Sequence, residues 1–238
     1  DFIAIAAGSA HSLGLKANGS VVAWGYQLNV PTPNSGFVAI SAGGGHDLGL
    51  KADGSIIAWG FNNYGQTSVP APNADFIGIA AGWFHSLGVK ADGSIVAWGF
   101  NWDGQTNVPA PNADFIGIAV GDVHSLGLKD DGSIVGWGRN NYGETNIPTP
   151  NADFIAIAAG GYHSLGLKCL RGPIVVTTLE DLSGFPHAGA LISLRQAINK
   201  ANMGCGDEIR FAAALAGGRI ALRSHLPPIT ASELGIFG

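Results

Sequence analysis

Five of the seven histidines stand at matching places in this 238-residue sequence: His11, His46, His85, His124 and His163, each followed by Ser or Asp, then Leu and Gly. Imidazoles at matching positions could form a metal site if the chain brought them within bonds of about 2 Å. If the copies surround a common axis, such a circle is too wide. A neutral imidazole tying one copy's backbone to the next is the preferred reading. Trp24, Trp59, Trp98 and Trp137 hold a second fixed position. A residue required identically in each copy does the same packing job in each, so these too are read as structural. The Asp-Gly turns, including Asp130-Asp131-Gly132, lack the spacing of a calcium loop. Glu144 is the only glutamate before Lys168, so a glycosidase pair would have to come from turn aspartates. No G-x-S-x-G or H-E-x-x-H occurs, and no G-K-[ST] follows the Gly-rich run 42–46. No catalytic residue, metal or cofactor is expected.

Binding chemistry is found where the copies disagree. Directly before each His stand Ser9-Ala10, Gly44-Gly45, Trp83-Phe84, Asp122-Val123 and Gly161-Tyr162. After W-G, copies two to four carry Phe61-Asn62-Asn63-Tyr64, Phe100-Asn101-Trp102-Asp103 and Arg139-Asn140-Asn141-Tyr142. Both groups read as loops, where a rigid scaffold displays its binding residues. A position that accepts Ser or Gly in one copy does not need Trp in another for folding. Trp83, Phe84, Trp102, Tyr162, Asp122, Tyr64 and Tyr142 are therefore the candidate protein-binding residues, with the aromatics suited to hot spots. The competing reading is that they cover a neighbouring copy or the C-terminal segment.

The elements that must position these residues repeat with a fixed period. Phe37, Phe76, Phe115 and Phe154 are 39 residues apart, whereas Phe2 and Phe37 are 35 apart because the first copy lacks part of an N-x-x-G-Q segment. Within one copy, residues 76–80 read as a strand and residues 85–90 as a second. Ala91-Asp92-Gly93-Ser94 is a hairpin turn, and residues 95–98 form a third strand. Thr106-Asn107-Val108 reads as a short outer strand stopped by Pro109, with Pro109 and Pro111 suited to an edge. Four antiparallel strands in about 40 residues are the size of one propeller blade.

The G-x-x-H-S-L-G-L-K-A-D-G-S-I-V-A-W-G-x-N-x-x-G-Q-x-x-V-P pattern resembles the repeat of the regulator of chromosome condensation family. Its short, regular form is most similar to that of the bacterial β-lactamase inhibitory proteins. The resemblance covers residues 1–168 and implies a propeller that works by binding other proteins, with aromatic loops on one face. Family members are typically seven-bladed, but this chain has five H-S/D-L-G copies and four A/G-W-G copies. Copy five departs after Lys168. Ile174–Thr178 could complete a fifth blade, but a second resemblance competes for it. Val175–Thr178, Ser193–Ile198 and Asp207–Phe211 resemble the start of C-S-L-R-E-A-I domains, which open parallel β-helices in exported bacterial proteins. The residues themselves predict a helix there, from the capping-box spacing of Ser193 and Gln196 and the apolar face of Leu194, Ala197, Ile198 and Ala201. Gly204 would end it, and residues 208–211 and 219–223 read as strands.

The expected fold class is all-β. A β-propeller of about five four-stranded blades, closed or open, spans residues 1–168, with blades near 1–35, 36–74, 75–113, 114–152 and 153–178. A small α+β segment resembling a parallel β-helix N-terminal cap follows, at 174–238. Through Lys168 there are 6 basic and 12 acidic residues, and after it 6 and 5, for a net charge of −5. An acidic repeat argues against nucleic acid as partner, and no apolar run approaches the roughly 20 residues of a membrane span. Cys169 and Cys205 could pair in an exported protein, and Asn18-Gly19-Ser20 reads as a turn more simply than as a glycosylation site. Asp1 is not an initiator, so a processed form or fragment is expected. These observations point to a non-enzymatic, secreted or cell-surface protein-binding module, inhibitor-like by resemblance. The alternative is a self-assembling surface or filament protein in which open blades or the C-terminal segment pair with other copies.

Overall fold

In copies two to four an aspartate and a glycine fold the second strand back onto the third. Asp92 Oδ1 accepts hydrogen bonds from the Ser94 backbone N at 2.9 Å and from Ser94 Oγ at 2.6 Å. Gly93 takes the positive φ of 78° that the turn requires. Asn18 makes the same turn in copy one, accepting from Ser20 N at 3.0 Å.

The computed structural model describes residues 1–26 and 29–168 and, beyond them, the backbone of three short strands. The chain divides into two compact units, Asp1–Leu167 and Lys168–Gly238. In the first unit, blade one comprises β1 (Phe2–Ala7), β2 (His11–Lys16) and β3 (Val21–Gly25). Blade two comprises β4 (Phe37–Ala42), β5 (His46–Lys51) and β6 (Ile56–Gly60). Blade three has β7 (Phe76–Ala81), β8 (His85–Lys90) and β9 (Ile95–Gly99). Blade four has β10 (Phe115–Val120), β11 (His124–Lys129) and β12 (Ile134–Gly138), and blade five β13 (Phe154–Ala159) and β14 (Ser164–Lys168). The register repeats from blade to blade: Ala81 faces Ser86, Ser86 faces Trp98, and a bulge follows Phe76.

Blades one to four are three-stranded, and blade five has two strands among the described residues, where the sequence predicts four in each. The Thr106–Val108 stretch, with β-branched Thr106 and Val108, spends its backbone locally. Thr106 N donates to Asn101 Oδ1 at 2.9 Å, Asn107 N to Gly104 O at 2.9 Å and Val108 N to Thr106 O at 3.1 Å. Val108 still packs on the core. The outer strand's free backbone groups are instead met by one side chain: Asn112 Oδ1 accepts from Ile95 N at 2.7 Å and its Nδ2 donates to Ile95 O at 2.8 Å. Asn34, Asn73 and Asn151 bond Val21, Ile56 and Ile134 in the same way.

The core lies between blades rather than within them. Leu87, Val89 and Ile95 of blade three meet Phe115 and Trp137 of blade four. Blades one and two, two and three, and four and five repeat the arrangement with Phe37 and Trp59, Phe76 and Trp98, and Phe154. Each blade thus offers aliphatic residues to the next and aromatic ones to the last. A Cβ at Gly88 would lie 2.6 Å from the Phe76 ring, so the H-S-L-G glycine is a packing requirement. The repeated lysine covers that ring from outside, with Lys90 Nζ 5.0 Å from the Phe76 centroid.

At the two ends of the arc this pattern is half-made. Trp24 is 47% exposed although Trp59, Trp98 and Trp137 are buried, and Phe2, Leu165 and Leu167 are exposed too. In the second unit, β15 (Ile174–Val176), β16 (Glu208–Phe211) and β17 (Gly235–Phe237) form a parallel sheet, with β16 in the centre. Ile174–Val176 therefore pairs with β16, while blade five's sheet consists of β13 and β14. The helix expected around Ser193–Ala201, the strand at 219–223, Cys169 and Cys205 lie outside the described residues. Among the described residues no helix is long and apolar enough to cross a membrane.

Candidate functional site: an aromatic loop face

Four of the five histidines are frame. His46 Nε2 lies 2.8 Å from Ser86 Oγ of the next blade, His85 Nε2 3.0 Å from Ser125 Oγ, and His124 Nε2 3.0 Å from Ser164 Oγ. Each serine passes its one proton back across the seam, Ser86 to Gln66 O at 2.9 Å and Ser125 to Gln105 O at 2.9 Å. The imidazole must therefore be the donor at Nε2, which fixes its neutral tautomer. Nδ1 of His46, His85 and His124 is buried without a partner. Burial, helped by neighbouring imidazoles, lowers the pKa of His46 to about 4 and of His85 to about 3. The tie runs through a side-chain hydroxyl to a backbone carbonyl rather than straight to backbone. The same carbonyls accept the indole N–H of Trp98 at 2.8 Å and of Trp137 at 2.9 Å. Among the described residues no group of three or more His, Cys, Asp or Glu could hold a metal ion.

The first seam solves the same problem differently. Copy one lacks part of N-x-x-G-Q, and copy two carries Asp47 where later copies have serine. A carboxylate has no proton to pass on and needs no carbonyl beyond it. It accepts from His11 Nε2 at 2.6 Å, with both side chains buried. Burial pushes the Asp47 carboxyl up, and the His11 bond works against that shift. At the other end His163 is exposed, with no following blade among the described residues.

The variable loops meet on one face. Phe61 N, Phe100 N and Arg139 N donate to Gly45 O, Phe84 O and Val123 O at 2.8, 2.9 and 3.0 Å, locking each blade's two variable loops together. The buried Gln or Glu of the G-Q/E step pins the loop tip: Gln66 Oε1 accepts from Tyr64 N at 2.9 Å, Gln105 Oε1 from Asp103 N at 3.0 Å and Glu144 Oε2 from Tyr142 N at 2.8 Å.

On that frame the rings of blades two and three form one continuous cluster. Tyr64 lies 5.1 Å from Phe84 and 4.9 Å from Phe100, Phe100 lies 5.1 Å from Trp102, and Trp83 stands edge-on to Phe84 at 6.1 Å. Trp102 is 87% exposed and Trp83 42%. Trp83 can lie across to blade two because residue 44 is glycine; a Cβ there would sit 3.1 Å from the indole. With Asp122 and Tyr162 these residues line a groove of about 390 Å³. Burial raises the Asp122 carboxyl, and His124 opposes the shift. Tyr142 stands outside the groove, packed on Tyr162 at 5.7 Å, with the Arg139 guanidinium 5.5 Å from both rings. Phe61 and Phe100, absent from the sequence-derived set, join the cluster. Their signal was present, since the residue after W-G changes to arginine in copy four.

A family model described as the regulator of chromosome condensation (RCC1) repeat matches residues 2–29, 37–66, 76–105 and 115–144. The repeat region belongs to the RCC1 family. Prp20p of Saccharomyces cerevisiae, a structure described with its binding to Gsp1p and histones, is 20% identical, with a TM-score of 0.61 over 71% of this chain and 57% of its own. The receptor kinase CR4 ectodomain of Physcomitrella patens is 28% identical, with a TM-score of 0.58 over 70% and 47%. The ACR4 ectodomain of Arabidopsis thaliana is 27% identical, with a TM-score of 0.58 over 70% and 61%. The chain spans about half to three-fifths of these proteins, and no curated protein matches it. The repeated sheets are thus an RCC1-type propeller architecture, in a family of protein-interaction modules.

Proposed function

We propose that the repeat region is a non-enzymatic, exported protein-binding module that engages its partner through the aromatic face of blades two to five. The observation that carries this reading is Trp102, 87% exposed at the edge of a ring cluster whose positions vary between the copies. Large exposed aromatics on a rigid scaffold are the usual anchors of an interface. An inhibitor-like role, in which the face covers another protein's working surface, is a special case of the same chemistry. The test is photo-crosslinking from position 102 and, as control, from Ile77 at the opposite end of the same blade. Protein captured from 102 and lost with Trp83→Ala/Phe84→Ala supports the reading. Equal capture from both positions refutes it.

A second reading is favoured by the half-made seams. Phe2 and Trp24 at one end and Leu165 and Leu167 at the other are exposed, and they are the two complementary halves of a contact made four times inside the chain. In that reading blades of other copies complete the arc, and the protein is structural.

A further inference from the structure

We propose that the groove takes an arginine side chain presented by the partner protein; this rests on the groove being the binding face. Its walls are the faces and edges of Tyr64, Trp83, Phe84, Phe100 and Trp102, and its remaining lining includes the carboxylates of Asp103 and Asp122. None of the lining residues is basic. Aromatic faces carry partial negative charge and attract a cation within about 6 Å, more strongly where water is excluded. Carboxylates beside those rings add bidentate acceptors suited to a planar guanidinium. The surrounding repeat is acidic, with 6 basic against 12 acidic residues through Lys168, so a basic segment would be steered to it.

The same face already contains the arrangement once. In blade four the residue after W-G is Arg139, and its guanidinium lies 5.5 Å from the rings of Tyr142 and Tyr162. In blades two and three that position is Phe61 and Phe100, so the larger ring cluster there receives no cation from its own loops. Blade four supplies its cation in cis, and the groove of blades two and three is built to receive one in trans. A neutral sugar would also stack on these rings. The acidic pair and the internal Arg–Tyr precedent favour the cation.

The experiment uses the full chain and the peptide Gly-Gly-Arg-Gly-Gly. A control peptide carries citrulline, in which a urea of the same shape replaces the guanidinium. Binding is read from the indole N–H resonances of Trp83 and Trp102 at low salt. The expected result is a Kd for the arginine peptide at least about tenfold below that of the citrulline peptide. That advantage is lost in Asp103→Asn/Asp122→Asn, whose folding is checked by the unchanged resonances of Trp98 and Trp137. Equal affinity of the two peptides overturns the proposal, as does the absence of any shift at millimolar arginine peptide. So does an arginine preference that survives Tyr64→Ala/Phe100→Ala, which leaves both reporter indoles in place and would mark a diffuse acidic surface. If Asp103→Asn/Asp122→Asn leaves crosslinking from position 102 intact, the arginine assignment fails and the binding face stands. If crosslinking fails from the outset, the underlying reading fails first.

Discussion

Acid should open the seams between blades, and the buried histidines set the pH at which it does so. Burial holds the pKa of His46 at about 4 and that of His85 at about 3, against an ordinary 6.5, and lowers that of His124 as well. Protonation would place a buried N–H on Nδ1 with no acceptor. The unfolded chain takes up these protons as pH falls through about 6.5, and the folded seams do not until about 4. Stability is therefore complete above about pH 7 and declines below it by about 1.4 kcal/mol per pH unit for each such histidine. His46 alone accounts for about 3 kcal/mol between pH 6.5 and 4, a large part of a typical folding free energy of about 5–15 kcal/mol. The carboxyls of Asp53, Asp92 and Asp131 are held below the usual range by their Ser bonds. Their contribution is present above about pH 4 and is lost only below it, so the two windows separate. The assay is the urea midpoint, followed by tryptophan fluorescence at half-unit steps from pH 8 to 4. Replacing His85 by Gln keeps an N–H donor near Ser125 without a titrating group, and should flatten the decline by about one proton. A midpoint constant from pH 7 to 5, or an unaltered slope in His85→Gln, would refute the reasoning.

Three further outcomes are expected. Asn112→Ala leaves both backbone groups of Ile95 without their partner on an outer strand and should cost about 1–3 kcal/mol in urea unfolding, with the loop face unaffected. Asp47→Ala leaves the buried His11 N–H unsatisfied and should cost a similar amount, whereas Asp47→Asn keeps an acceptor and should cost less; the ordering of the two is the check. If the half-made seams join copies, sedimentation will show association that Trp24→Ser or Leu165→Asp abolishes, and a monomer from micromolar to millimolar concentration would rule that assembly out.

Local chemistry was legible and non-local substitution was not. The strands and Asp-Gly turns are short-range, so alternation and one glycine place them correctly. The fourth strand was misread because Thr106–Val108 has strand-like side chains, while what decides its pairing is where its backbone protons go. Asn101, five residues earlier, takes one of them. The job assigned to that strand falls to Asn112, seventeen residues from the Ile95 it pairs. Nothing in its own neighbourhood distinguishes it from any Asn after a Pro. The candidate binding residues were legible as positions where near-identical copies disagree. That they converge on one groove was not, because residues 64, 83, 102 and 162 come from three different blades.

The sequence by itself determined the unit: its length, three of its strands and its turns. Tertiary structure decided what each copy's frame does. Trp24 and Trp98 occupy the same letter of the repeat, yet Trp98 is buried on a carbonyl of the preceding blade and Trp24 is 47% exposed. His85 is fully buried and His163 is exposed for the same reason. A seam belongs to two blades, so a residue that is half of one acquires its environment, its pKa and its energy only when the other half is present.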